Sequence, residues 1–205
     1  MRFYGTVRTL FRPVGRWYFN LRVEGSEHLP EGPAILAANH VSWLDPIALG
    51  AACPRPIRFL IARSVFERRC SRWFYAGMGT IPVERGSRDT AWFRKALRAL
   101  REGELVGVFP EGVGLASAQS SREPRSGALL LAALSGAPFV PVGLAGTIQA
   151  WPPKVRFPRP GSVTVRFGEP FTLWKNGERP RRDELRLSVV HLMERIRGLE
   201  AGRSA

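Results

Sequence analysis

Pro33-Ala34-Ile35-Leu36-Ala37-Ala38-Asn39-His40-Val41-Ser42-Trp43-Leu44-Asp45-Pro46 is the stretch on which the reading of this chain turns. Residues 33–38 form an apolar run of strand length with no alternation, the pattern of a strand buried on both faces. The run stops at two polar side chains, Asn39 and His40. Pro46 suits the first turn of a helix, with Asp45 near its N-cap. A strand, a short polar turn and a helix make the unit from which α/β sheets are assembled.

Further strand and helix patterns alternate on the C-terminal side. Residues 57–62, 80–83, 105–109, 139–144 and 163–167 read as strands. Helical stretches run from Ser64, as a cap, toward Gly77, and over 89–101 with Asp89 or Thr90 as cap and Gly103 as stop. Two more cover 127–135, ended by Gly136, and 182–199, after which the chain is expected to fray. The sequence predicts an α/β fold with a largely parallel or mixed central sheet flanked by helices. In such sheets ligands collect where strands end. Residues 151–161, with four prolines, read as a loop or lid.

No charged residue occurs between Arg125 and Lys154. The length would suffice for a membrane span. Gly136 and Pro138 divide it, however, so it reads as a buried helix, a turn and a buried strand. Pro141 within that strand suggests a bulge, or an edge lining a pocket. The two cysteines, Cys53 and Cys70, make neither a disulfide framework nor a metal site and read as free thiols.

The formal net charge is +14 over 205 residues, almost all of it from arginine. Such a balance implies an anionic partner: nucleic acid, an anionic bilayer or a phosphorylated substrate. The basic residues are scattered and no base-reading motif is present, so a nucleic-acid-binding module is the remote alternative and no nucleic acid is expected. Near the N-terminus, Arg2, Arg8, Arg12 and Arg16 fall on one side of a helical wheel. Phe3, Val7, Leu10, Val14, Trp17 and Leu21 fall on the other. That is the pattern of an interfacial helix on an anionic membrane surface. Pro13 and Gly15 predict a kink or two short helices within it.

Chemistry is carried by short motifs at strand ends. An Asp five residues after a His can hold one ring nitrogen, fix the tautomer and leave the other nitrogen to take a proton. By itself the pair His40 and Asp45 reads equally as a helix cap beside a satisfied ring. Arg85, after the run Gly79-Thr80-Ile81-Pro82-Val83-Glu84, offers a planar fork to a phosphate, or pairs with Glu84 at the surface. Phe109-Pro110-Glu111-Gly112 places a carboxylate, Glu111, where an apolar strand gives way to a glycine turn. Gly112 permits close backbone approach.

Taken together and in this order, Asn39 to Pro46, Gly79 to Arg85, Phe109 to Gly112 and Val140-Pro141-Val142 resemble the glycerophospholipid acyltransferase family, PlsC-like in type. The resemblance runs from about Val23 to Gly168. It implies that the hydroxyl of a lysophospholipid attacks the thioester of an acyl-CoA or acyl-carrier protein. His40 would be the general base and Asp45 its orienting partner. Arg85, Glu111, Gly112, Ser42 and Arg125 would bind substrate. No cofactor or metal is implied, because a thioester is already activated. Residues 1–22 would be a membrane-associating segment and 23–200 the acyltransferase domain, placed peripherally or monotopically on the cytoplasmic face of the cell membrane. Where the family commonly continues Phe-Pro-Glu-Gly with Thr-Arg-Ser, this chain has Val113-Gly114-Leu115. Arg122 or Arg125 would have to replace that arginine. The substrate implied is 1-acyl-glycerol-3-phosphate, with another lyso-lipid or amphiphilic acceptor as the alternative.

Overall fold

The computed structural model describes residues 2–69, 72–84, 90–110, 127–153, 155–174 and 181–203. The chain opens with α1 (Arg2–Tyr18), β1 (Arg22–Glu24), β2 (Ala34–Ala38), α2 (Asp45–Ala52) and β3 (Ile57–Ala62). Short helices α3 (Arg63–Phe66) and α4 (Arg72–Gly77) lead into β4 (Ile81–Val83), α5 (Ala91–Arg101) and β5 (Leu105–Val108). Then come α6 (Gly127–Ser135), β6 (Phe139–Ala145), α7 (Thr147–Ala150), β7 (Thr164–Phe167) and α8 (Arg182–Glu200).

The strands form one sheet in the order β1-β7-β6-β2-β5-β3-β4. From β6 to β4 every neighbouring pair is parallel, β7 runs antiparallel to β6, and β1 is parallel to β7. The sheet is therefore mixed around a parallel centre, and the five parallel strands deliver their C-terminal ends to one edge. β2 lies in the middle and every residue of it is buried. Ala34, Leu36 and Ala38 join a core that includes Ala48 and Leu49 of α2. Ile35 and Ala37 join a second core with residues of α5, α6 and α8. Burial on both faces is why the run carries no polar alternation.

Several expectations are corrected. α1 is one continuous helix, not two, with Pro13 inside it. Gly15 does not break it either. It lies on the buried face, where the returning chain brings the Leu21 side chain within 3.2 Å of the place a Cβ would occupy. The helix expected from Ser64 to Gly77 is two helices, the first starting at Arg63 with Ala62 as N-cap and closed by the Glu67 amide on the Arg63 carbonyl. β1 was not legible at all: its three residues are exposed, and the strand exists because it pairs with β7. Pro141 is on an interior strand, not an edge. Its carbonyl accepts from Gly168 N–H at 2.8 Å, and the β6–β7 ladder begins only at Val142 opposite Phe167, so the missing N–H falls at the ladder's end. Residues 199–203 are held and not frayed, since amides of Ala201, Gly202 and Arg203 bond back to Arg197, Leu199 and Gly198.

The uncharged stretch forms α6, a left-handed turn at Gly136 and the interior strand β6, as read. Among the described residues no helix is long and apolar enough to cross a membrane. Gly143 of β6 has no room for a side chain, because a Cβ there would meet backbone of Leu199 and Glu200 at 2.4 Å. This close approach seats the end of α8 on the sheet.

Candidate active site

The His40 loop connects the end of β2 to α2. Asp45 is the first residue of α2, yet its carboxylate caps none of that helix's amides. It turns back into the loop instead. Oδ2 accepts the amide N–H of Val41 at 2.7 Å and of Ser42 at 2.7 Å, and lies 2.9 Å from His40 Nδ1. A fully buried carboxylate gathering donors in this way is itself an acceptor, so Nδ1 carries the ring proton and donates it. Nε2 is left with its lone pair, and no described residue bonds to it. The helix-cap alternative therefore fails on geometry, and Nε2 is uncommitted among the described residues.

Asp45 is 0% and His40 8% exposed, so the pair is withdrawn from bulk water. The second carboxylate oxygen, Oδ1, is buried and has no hydrogen-bond partner among the described residues. One oxygen thus takes three donors while the other takes none among the described residues. The imidazole stacks on Phe109, with ring centroids 4.3 Å apart and planes at 26°, and Phe109 in turn is parallel to Phe59 at 6.1 Å. This stack fixes the tilt of the ring where the Asp45 bond fixes its rotation.

Two positioning residues escaped the sequence reading, Phe109 and Asn39. The Asn39 side chain donates to the Leu144 carbonyl at 2.9 Å and accepts the Leu144 N–H at 2.8 Å. It thereby extends the β2–β6 pairing past Ala38 opposite Val142, and holds the loop to β6 just before His40. Its only sequence signal is that it ends the apolar run. Ser42, expected at the substrate, is fully buried. Its hydroxyl donates to the Trp151 carbonyl at 2.7 Å and accepts from Leu44 N–H at 3.1 Å. As placed, it fastens the loop to the segment over 151–161.

An apolar groove of about 260 Å³ adjoins this loop. It is lined only by apolar and aromatic residues, including Val14 and Tyr18 of α1, Leu44, Ile47 of α2, Trp151 and Pro158. Leu44, which lines the groove, belongs to the same loop as His40 and directly precedes Asp45. In the segment over 151–161, Trp151 Nε1–H donates to the Val155 carbonyl at 3.0 Å and the Tyr18 hydroxyl to the Pro158 carbonyl at 3.1 Å.

Arg85, Glu111, Gly112, Arg122, Arg125 and Cys70 lie outside the described residues. The strands that lead toward Arg85 and Glu111, β4 and β5, end at the same sheet edge as β2. Glu84 reaches Arg63 Nε at 3.4 Å. Cys53 is a free, buried thiol, and burial pushes its pKa up. Among the described residues no three His, Cys, Asp or Glu side chains gather as a metal site.

Comparison with known proteins identifies the family. The sequence model of the acyltransferase family matches residues 20–145. A 1-acyl-sn-glycerol-3-phosphate acyltransferase of Bacillus subtilis is 27% identical over 183 residues, covering 88% of each chain. A lyso-ornithine lipid O-acyltransferase of Pseudomonas aeruginosa is 36% identical over 95 residues, 46% of this chain and 35% of its own. The crystal structure of the 1-acyl-sn-glycerophosphate acyltransferase PlsC from Thermotoga maritima superposes with a TM-score of 0.72 at 24% identity, covering 97% of this chain and 78% of that one. The fold is thus shared with that enzyme. Since the family model spans well over half of the sequence and contains the whole His40–Asp45 loop, the chain belongs to the acyltransferase family and is an enzyme of acyl transfer.

Proposed function

We propose that this enzyme moves a fatty acyl group from the thioester of acyl-CoA or an acyl-carrier protein to the free hydroxyl of 1-acyl-glycerol-3-phosphate, giving phosphatidic acid. The observation that carries the reading is the asymmetry of the His40 ring, with Nδ1 anchored on buried Asp45 and Nε2 uncommitted among the described residues. Nε2 takes the proton of the acceptor hydroxyl as its oxygen attacks the thioester carbon. The carbon–oxygen bond forms, the carbon–sulfur bond breaks, and the proton passes to the departing thiolate. General-base help of this kind is typically worth about 10²–10⁴-fold. Asp45 holds the tautomer and stabilises the imidazolium formed on the way. No metal or organic cofactor is needed for these steps.

Arg85, Glu111, Gly112 and Arg125 are assigned to the acceptor. β4 is three strands from β2, roughly 14 Å at the usual strand spacing. Arg85 is assigned to the phosphate end of the acceptor, because a guanidinium offers a planar fork to a phosphate. The apolar groove supports a chain-bearing substrate, since aliphatic chains gain in proportion to the apolar area removed from water. The enzyme works peripherally at the cytoplasmic face of the cell membrane, with α1 at the interface.

A second acceptor class is favoured by two observations. Val113-Gly114-Leu115 departs from the family's usual arginine-bearing sequence, and one relative is a lyso-ornithine lipid O-acyltransferase. A panel of lysophosphatidic acid, lysophosphatidylglycerol and lyso-ornithine lipid with a labelled acyl-CoA and a labelled acyl-carrier protein decides between them. Lysophosphatidic acid is expected to give the highest kcat/KM. A clear preference for another lyso-lipid would transfer the assignment to that acceptor.

A further inference from the structure

Six of the large hydrophobic side chains exposed among the described residues lie on α1, among them Leu10 at 65% and Trp17 at 89%. At about 100° per residue, Phe3, Leu10, Val14 and Trp17 fall within an arc of about 60°. Buried Tyr4 and Gly15 fall on a different side, against the protein body. The helix thus packs on one face and offers a separate apolar flank.

That flank does not stop at the ends of α1. Phe3 lies edge-on to Trp73 of α4 with centroids 6.1 Å apart, and Trp73 is 66% exposed. At the other end the Tyr18 hydroxyl holds Pro158, beside Phe157, which is 68% exposed under the Arg156 guanidinium at 5.2 Å. Exposed aromatics from two further elements, remote in sequence, therefore stand at the two ends of α1. Charge follows the same division. Residues 1–23, 68–83 and 151–168 contain twelve arginines and lysines and no acid, whereas all 17 acids lie in the rest of the chain. Arg16, Arg69, Arg72, Arg156 and Arg159 are all exposed.

We infer that the surface by which this enzyme seats on an anionic lipid bilayer is composite, with Trp73 and Phe157 as anchors at either end of the α1 flank and the neighbouring arginines on lipid phosphates. The inference rests on the membrane attachment proposed above and extends it beyond residues 1–22. An amphipathic Trp and an apolar Phe, each flanked by guanidinium groups, fit the boundary between acyl chains and headgroups. The flank also borders the apolar groove through Val14, so a bilayer on this face meets the groove's rim.

The test is co-sedimentation of the full chain with vesicles of phosphatidylcholine, alone or mixed with phosphatidylglycerol. Turnover of a short-chain acceptor below its micellar concentration is measured in parallel. Trp73→Ala and Phe157→Ala are each expected to weaken partitioning onto the anionic vesicles roughly 3–10-fold. Trp73→Phe should restore most of the loss, and Val190→Ala on exposed α8 should change nothing. Turnover of the monomeric acceptor should be unaltered throughout. Wild-type partitioning by both alanine variants, with loss only for Trp17→Ala, would overturn the composite surface and leave α1 alone at the membrane. Indifference of the wild type to both vesicles, or binding of duplex DNA in their place, would overturn the inference and the membrane attachment. Acyl transfer to the soluble acceptor would still stand.

Discussion

The loop over 39–45 and the groove under α1 share Leu44, yet they are held together by opposite forces. The loop is a closed set of directional bonds: three donors on Asp45 Oδ2, two bonds between Asn39 and Leu144, and a hydroxyl tied to Trp151. The groove has only apolar and aromatic walls. Hydrogen bonds weaken steeply with angle, so a region built from them holds one geometry. Apolar contact is non-directional, so a groove built from it accepts chains that differ in length and shape. A proton acceptor must be fixed to a fraction of an ångström. A lipid tail need only be kept out of water.

Substitutions should separate the two. The largest effect short of removing His40 is expected from Asp45→Asn. An amide in this site either turns its NH₂ toward the Val41, Ser42 and Nδ1 donors or strands it in the buried place of Oδ1, which has no partner among the described residues. Steady-state kinetics should show kcat lower by about 10²–10⁴-fold, with a smaller change in KM. Wild-type kcat would mean that the pair is not coupled in catalysis.

Asn39→Ala comes next and acts on both stability and rate. It leaves the Leu144 N–H and carbonyl unpaired in a buried site, at roughly 1–3 kcal/mol for each group. Urea unfolding should report a loss of that order, and kcat should fall while the acceptor KM stays close to wild type. An unchanged midpoint would show that the clamp is dispensable.

A milder change is expected in the groove. Ala51→Leu adds bulk to its lining at no polar cost. Rates with long acyl chains should drop about 3–10-fold while short chains are spared, as overpacking typically costs about 1–3 kcal/mol. Equal loss for every chain length would place the substrate's chain elsewhere. The smallest effect concerns Cys53, where burial and a raised pKa both keep the thiol neutral. Iodoacetamide at mildly alkaline pH should label the native Cys53 far more slowly than the urea-unfolded chain, read by peptide mass mapping. Equal rates would show that this part of the core opens freely.

The same contrast explains what could be read in advance. β2, β5 and β6 are legible because burial on both faces leaves continuous apolar runs. The His40–Asp45 pair reads locally as a helix cap just as well, and only its order with the other motifs singled it out. β1 is hidden because its exposed residues carry no pattern and only pairing with β7 makes it a strand. Pro13 and Gly15 look like breakers, yet one helix runs through both, and Gly15 is placed where Leu21 needs room. The Asn39 clamp and the stacking of Phe109 join residues about 70–105 apart in sequence. Local spacing carries no trace of such partners. The composite surface was half visible, in the wheel of α1, while Trp73 and Phe157 joined it only through the fold.

The account stands most directly on one rate. Purified wild-type and His40→Ala protein, matched by thermal unfolding and vesicle binding, are given labelled acyl-CoA or acyl-carrier protein and lysophosphatidic acid. The account predicts that the variant folds and binds vesicles like the wild type but transfers acyl groups at least about 10²-fold more slowly. Transfer at an undiminished rate by the folded variant would contradict it.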